Sequence, residues 1–337
     1  MPATFTGHKP SSVAVQLKPT TSRERSHGGS NPVRSGRILP FEFDLYSLVP
    51  AFPGPGKELL MSVTPRLNRL FAADGKCFEV ALDHGVHNEP SLLSGMENLP
   101  KVVNTVVAAA PDAILLSVGQ AHLLQDIRGK QKPSLTLRTD PTNLYGTPTP
   151  AHVFCQLIDD AVEQALALDA VSIVVNLLWS PDQPELYHQC LKNVSRAKAR
   201  CARYGMPLMV EPLAMQFDKR LGYKQHPDLS RIISLVRQAV ELGADVVKAD
   251  PGENLREYHR VIEAASGKPV LPRGGSRVSD KEILSRTYAL LQQGASGVVY
   301  GRNVFQHPQP EKMIRACKAI VHEGASVAEA MAILNES

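Results

Sequence analysis

Lys248 ends a short apolar run, Ala244-Asp245-Val246-Val247-Lys248, and Ala249-Asp250-Pro251-Gly252 directly after it stops any strand there. In parallel α/β folds the chemistry sits just outside the carboxyl ends of the strands, which is where this lysine falls. An apolar wall disfavours the ammonium form, so the neutral amine can attack a carbonyl and form a Schiff base. The segment alone fits equally well a lysine that leaves a strand and reaches water. The other strand ends have to decide.

Those ends place Asp83 after the first predicted strand, Arg138 at the third, Asn176 at the fourth, Glu211 at the fifth, Arg273 after the seventh and Arg302 after the eighth. Charged groups at six strand ends, with two carboxylates facing a lysine, exceed what solvation of loop edges requires. Alternatives remain for single residues: Asp83 as a turn cap before Gly85, and Glu211 as half of a structural ion pair. Pro272-Arg273-Gly274-Gly275-Ser276 and Tyr300-Gly301-Arg302-Asn303 read as a phosphate clamp. Glycines let backbone N–H groups approach an anion, a short helix N-terminus adds partial positive charge, and barrels bind phosphate at this pair of loops. The competing reading of Gly274-Gly275 is a tight turn. Arg138 and Arg273 are candidate second contacts for a phosphate or carboxylate, and Trp179 either borders the mouth or packs beside Pro181. His84 and His87 form an HxxH pair with no third ligand pattern, and Schiff-base chemistry needs neither metal nor cofactor.

The elements that must position these groups alternate short β-branched or Leu-rich runs with longer amphipathic ones from about residue 70. The strands are expected at Cys77–Leu82, Ala113–Leu116, Leu135–Arg138, Val171–Asn176, Pro207–Glu211, Asp245–Lys248, Pro269–Pro272 and Gly297–Tyr300. Helices are expected at His152–Leu168, Glu185–Tyr204, Leu229–Leu242, Asp280–Gln293 and Glu311–His322, several ending at a C-terminal glycine. Eight strands with intervening helices predict a closed (β/α)8 TIM barrel. An open doubly wound sheet is the alternative, but no GxGxxG follows the first strand.

A chain of 337 residues that is 43% hydrophobic can bury a core of this size. Residues 1–60 carry seven Lys/Arg against four Asp/Glu, and the remainder thirty against twenty-nine. The near-neutral remainder argues against a nucleic-acid surface. Five cysteines without CxxC spacing read as reduced thiols of a cytoplasmic protein. No apolar run reaches the roughly 18–20 residues of a membrane span. Residues 1–60 are expected to be a disordered basic extension, with a transit peptide or a true start at Met61 as alternatives, and residues 61–337 the barrel domain.

Ala81-Leu82-Asp83-His84-Gly85-Val86, Ala244-Asp245-Val246-Val247-Lys248 and Gly297-Val298-Val299-Tyr300-Gly301-Arg302-Asn303-Val304-Phe305-Gln306 resemble class I aldolases of the archaeal-type fructose-bisphosphate aldolase group. That group sits with the deoxyribose-phosphate and tagatose-bisphosphate aldolases, and the resemblance covers about residues 65–335. The Asp-His-Gly-Val and Gly-Arg-Asn-Val-Phe-Gln segments are close to the form seen in aminodideoxyheptulosonate synthases. The autoinducer-2 phosphate-processing branch shares the plan. The resemblance implies Lys248 as the Schiff-base lysine, Asp83 as the strand-1 carboxylate, and Gly274, Gly275, Gly301 and Arg302 as the phosphate loops. It further implies a homo-oligomer, a decamer. Two positions depart: Asn176 stands where many fructose-bisphosphate members bear a catalytic tyrosine, and Glu211-Pro212-Leu213 replaces a Tyr-Pro-Arg-Gly-like turn. The strand-5 glutamate is instead similar to the tagatose-bisphosphate branch, where it serves acid/base catalysis. The expectation is a Schiff-base aldolase acting on a phosphorylated ketose, with transaldol transfer as the close alternative. A metal-dependent aldolase using His84 and His87, and a non-catalytic sugar-phosphate-binding barrel, are the rival classes.

Overall fold

The computed structural model describes residues 62–146, 150, 152–218, 222–226 and 228–336. The extension expected over residues 1–60 lies outside the described residues. Strands β1 (Cys77–Ala81), β2 (Ala113–Ser117), β3 (Ser134–Arg138), β4 (Ser172–Trp179), β5 (Leu208–Asp218), β6 (Gly222–Gln225), β7 (Val246–Ala249), β8 (Val270–Pro272) and β9 (Gly297–Tyr300) form one sheet. All are parallel except β6, which pairs antiparallel with the end of β5. A parallel bridge from Arg273 to Val299 and the Ser296 N–H bond to the Val270 carbonyl bring β8 against β9. The eight parallel strands therefore make a TIM barrel.

The strands read as nearly continuous apolar runs because both of their faces are covered. Cys77, Ala81, Ala113, Leu115, Val174, Met209, Val246, Leu271 and Val299 point inward and pack as the barrel's own core. Their neighbours Phe78, Val80, Ile114, Leu116, Ile173, Val175 and Val247 point outward under the helices. Burying each such side chain contributes roughly 1.5–3 kcal/mol. Helix α1 (Thr64–Leu70) plugs the amino-terminal end, with Leu70 fully buried in the inner cluster and Arg66 donating to the Gly205 carbonyl.

The outer ring comprises α2 (Leu99–Ala108), α3 (His122–Gln125), α4 (Ala161–Ala167), α5 (Pro184–Tyr204), α6 (Leu229–Glu241), α7 (His259–Ala264), α8 (Asp280–Gln292), α9 (Arg302–Phe305), α10 (Pro310–Glu323) and α11 (Val327–Leu334). Local signals set the ends of the longer ones. Proline opens α5 and Gly205 closes it in the left-handed conformation, while the Asp228 and Ser279 side chains cap the first N–H groups of α6 and α8. None of the described helices is long and apolar enough to cross a membrane. The five cysteines are buried and unpaired.

Two expectations change. The helix predicted over His152–Leu168 shrinks to α4, because the stretch before it is held as a loop. Thr142 Oγ1 donates to the Phe154 carbonyl, Asn143 bonds His152 and Phe154, and Asn193 bonds the Cys155 carbonyl. The fifth strand does not stop at Glu211 but continues seven residues to pair with β6. Trp179 ends β4 with the Arg231 guanidinium 4.1 Å over its ring and His226 at its edge.

Gly297 opens β9 at φ +126°, and a Cβ there would lie 1.8 Å from the Cys77 carbonyl oxygen. Gly297→Ala therefore has to push β9 from β1, and we expect it to lose more than about 1 kcal/mol of stability. Gly119→Ala, where a Cβ meets nothing within 4 Å, is the control. Equal urea midpoints for the two variants would show that the β1–β9 seam tolerates a side chain.

Candidate active site

The carboxyl ends of the strands open on a cleft of about 530 Å³ lined by Asp83, His84, His87, Arg138, Tyr145, Glu211, Lys248, Arg273, Gly274, Gly275, Gly301 and Arg302. Every site residue expected from the sequence except Asn176 lines it. Asn176 lies just aside, its backbone and side-chain N–H groups donating to Asp140 at 2.5 and 3.0 Å.

Arg138, at the end of β3, is buried and spends its guanidinium on three carboxylates. Its Nε donates to Asp83 at 2.8 Å, one Nη to Asp140 at 3.3 Å, and the other Nη to Glu211. A planar fork of fixed donors can hold several acceptors at once, which a lysine ammonium cannot do in one plane. Glu211 is shared: Lys248 Nζ lies 3.0 Å from the same Oε2. The wall around Lys248 is thus charged, not the apolar one expected. Burial would raise the Asp83 carboxyl, but Arg138 and then Lys248 outweigh it and hold it below the ordinary carboxylate range. For Glu211 the same contest is won by Lys248 and Arg138, which bring it down to about 2. Both are proton acceptors at neutral pH.

Asp140 and Asp250 were not singled out in the sequence, although each stands two residues past a residue that was, on the same face of an extended chain. Burial dominates at Asp140 and raises it to about 6. Asp250 is buried and ion-paired with Arg273. One layer deeper, Glu79 accepts from the Thr136 hydroxyl, and burial pushes its carboxyl up to about 7.

On the phosphate side, Gly275 has φ +68° and open space where a Cβ would project. Gly274 abuts Tyr300, its added Cβ falling 2.8 Å from that ring, and Gly301 leaves room for His84, whose Cε1 would be 2.4 Å from a Cβ. Asn303 ties the two loops together by donating to the Gly274 and Ser276 carbonyls, each at 3.2 Å. Of the cleft's three arginines, only Arg302 has no carboxylate partner among the described residues, and its buried Nε has no hydrogen-bond acceptor. An unsatisfied half-buried guanidinium beside open glycine backbone fits an oxyanion ligand.

His84 and His87 face Asp83, but burial depresses both rings to about 4, so they are neutral imidazoles. His84 packs edge-on against Phe305, and His87 against Tyr145, with centroids 5.1 Å apart in each pair. Among the described residues no group of three or more His, Cys, Asp or Glu has metal-binding geometry. Tyr145 comes from the loop after β3 and carries no spacing signal in the sequence.

Arg138→Met would leave three buried carboxylates without their shared cation, at a cost of about 3–5 kcal/mol near neutral pH. Without that cation burial raises the carboxyl pKa values above their unfolded values, so the variant regains stability as pH falls through them. The wild-type Asp83 and Glu211 pairings behave oppositely, losing their contribution as pH falls toward 2. Urea unfolding at neutral and mildly acidic pH should show the deficit shrinking on acidification. A deficit independent of pH would mean that lost packing, not unpaired charge, dominates.

Known proteins resemble this chain over most of the barrel. An uncharacterised aldolase of Saccharolobus solfataricus is 31% identical over 280 residues, covering 80% of this chain and 97% of its own. The 2-amino-3,7-dideoxy-D-threo-hept-6-ulosonate synthase of Halobacterium salinarum is 30% identical over 275 residues, covering 80% and 95%. A solved archaeal fructose-1,6-bisphosphate aldolase, with its catalytic lysine covalently bound to the carbinolamine intermediate, shares the fold at a TM-score of 0.61. It is 22% identical and covers 77% of this chain and 99% of that one. The DeoC/LacD aldolase family model matches residues 77–307, and the chain belongs to that family.

Proposed function

We propose that this protein is a class I aldolase that makes or breaks a carbon–carbon bond in a phosphorylated ketose through a Schiff base on Lys248. The observation that carries the reading is Lys248 Nζ held 3.0 Å from Glu211, in one cleft with the unpaired Arg302. Lys248 attacks the substrate ketone, Glu211 being placed to take a proton from Nζ. Asp83, ionised and fixed by Arg138, serves the carbinolamine steps, in which the protons taken from Nζ pass to the former ketone oxygen, water leaves, the iminium forms and Glu211 is ionised again. Glu211 then takes the hydroxyl proton of the neighbouring carbon, the carbon–carbon bond breaks, and its electrons move into the iminium to leave an enamine. Protonation of that enamine and hydrolysis return the free lysine. Arg302, with the Gly274-Gly275 backbone, holds the phosphate, and Arg273 stands beside it. No external cofactor enters this sequence.

The second reading is transaldol transfer, in which the enamine meets another aldehyde instead of a proton. The Halobacterium relative's name supports it. Both readings use the same residues up to the enamine. The family resemblance adds a homo-oligomer to the proposal.

Borohydride with dihydroxyacetone phosphate or a ketose phosphate should fix a covalent adduct on Lys248, located by peptide mass mapping. An adduct on another lysine, or none across a panel of sugar phosphates, would remove the Schiff-base assignment. Glu211→Gln should lower kcat by about 10²–10⁴ yet still be labelled, whereas Asp83→Asn should label slowly. The reverse pattern in rapid-quench labelling exchanges their roles.

Arg302→Ala should weaken binding of the phosphorylated substrate by roughly 1.5–3 kcal/mol and affect an unphosphorylated analogue little. Equal losses on both substrates would end the phosphate assignment.

A further inference from the structure

Charge is shared unevenly around the cleft. Three arginines line it. Arg138 faces three carboxylates, Asp83, Asp140 and Glu211, and Arg273 is paired with the buried Asp250. Lys248 Nζ shares Glu211 at 3.0 Å. Arg302 has no carboxylate partner among the described residues, and its buried Nε lacks an acceptor. Two further arginines touch the phosphate loops without lining the cleft. Arg286 holds the Gly274 carbonyl and pairs with Glu282 at 3.0 Å, and Arg277 donates to the Gln306 carbonyl.

Strand order sets these groups across from one another. The parallel strands follow round the barrel as β1, β2, β3, β4, β5, β7, β8 and β9, so β3 and β4 stand opposite β8 and β9. Gly274-Gly275 and Arg302 follow β8 and β9, whereas Arg138 ends β3 and Asp140 comes just after it. An anion at Arg302 therefore has the Arg138 cluster on the far side of the mouth. That far wall is net negative, one guanidinium standing against three carboxylates. Against burial, Arg138 and Lys248 hold Asp83 low and Glu211 at about 2, and burial raises Asp140 only to about 6. On the near side, Asp250 neutralises Arg273 and leaves Arg302 as the uncompensated cation. A second phosphate would meet like charge on the far wall and no free guanidinium there to hold it. Hydroxyl groups suit the same wall, because ionised carboxylates accept hydrogen bonds from them.

Resting on the aldolase reading, we infer that the cleft selects a substrate with a single phosphate, bound at Arg302, and an uncharged polyhydroxy end toward the Arg138 cluster, with Asp140 the residue that sets this selectivity. Asp140 is buried behind Arg138 and takes part of its charge, so it acts on the distant end of the substrate through the guanidinium and not by touching it.

Two unreactive polyols, glucitol 6-phosphate and glucitol 1,6-bisphosphate, measure this apart from the chemistry at Lys248, since neither has a ketone. By calorimetry at low salt the wild-type protein should bind the monophosphate about tenfold or more tightly than the bisphosphate. The gap should narrow several-fold in about 0.5 M sodium chloride, where like-charge repulsion is screened. Asp140→Asn keeps an oxygen for the Asn176 N–H while removing one charge, and should bring the two affinities to within about threefold. Equal or tighter binding of the bisphosphate to the wild-type protein overturns the inference, as does failure of both to bind, or a gap that salt does not move. A gap unchanged in folded Asp140→Asn removes that residue from it. Borohydride labelling of Lys248 with dihydroxyacetone phosphate tests the aldolase reading separately. No label with the calorimetric gap intact would overturn that reading and leave the charge selectivity of the cleft standing.

Discussion

One guanidinium holds the mouth of this barrel together. Arg138 leaves β3 and meets Asp83 from β1, Asp140 from its own loop and Glu211 from β5, so its charge is divided among carboxylates on three sides. Taking such groups out of water costs several kcal/mol per ion, which only well-directed hydrogen bonds can offset. The geometry is therefore a condition on the barrel as much as on the site. Arg138 pairs in register with Val174, and Asn176 with Glu211, so the three groups face the axis only in the observed strand alignment. A slip of one residue would turn the arginine outward under the helices, leaving Asp83 without its guanidinium and Glu211 with Lys248 alone.

The interior is graded from that charged rim down to an apolar floor. The lowest layers are Ala, Val, Leu and Cys closed from below by Leu70. Between floor and rim lies Glu79, a carboxyl that burial raises to about 7 and that accepts from Thr136. So raised, it is protonated part of the time at neutral pH and adds less negative charge to the rim than an ordinary carboxylate would. The order floor, raised carboxyl, ion cluster places increasing polarity toward the side where the cleft opens.

The sequence showed the strands because residues covered on both faces must be apolar, and that constraint acts locally. It showed Lys248, Asp83, Glu211 and Arg302 because strand ends in a parallel barrel converge whatever their separation along the chain. It did not show what those residues do to one another. The sharing of Arg138 among three carboxylates depends on side-chain reach across the mouth, and Arg138 and Arg273 looked like ligand contacts until their partners Asp140 and Asp250 were in place. The His152–Leu168 stretch has helical periodicity, but Asn143, Thr142 and Asn193 from distant segments capture its backbone, so tertiary hydrogen bonds override the local pattern. The β5–β6 hairpin and Tyr145 depend on pairings made outside the barrel, where no repeating unit predicts them.

Paired and unpaired cations divide the cleft into two parts with different demands. Arg138 and Arg273 are satisfied by protein carboxylates before any ligand arrives, so they fix geometry at no reorganisation cost during the reaction. Arg302 keeps a buried Nε without an acceptor among the described residues, so on the proposed reading its contact with a phosphate is made on binding and is the same before and after the bond breaks. Such uniform binding lowers KM without altering the barrier from the bound state. On the proposed Schiff-base reading, differential stabilisation comes from the other half, where charge would move among Lys248, Glu211 and the substrate as an iminium becomes an enamine. That half is also the one in which every ionised group is buried and held by at least one partner, the arrangement in which a displaced charge is felt most strongly.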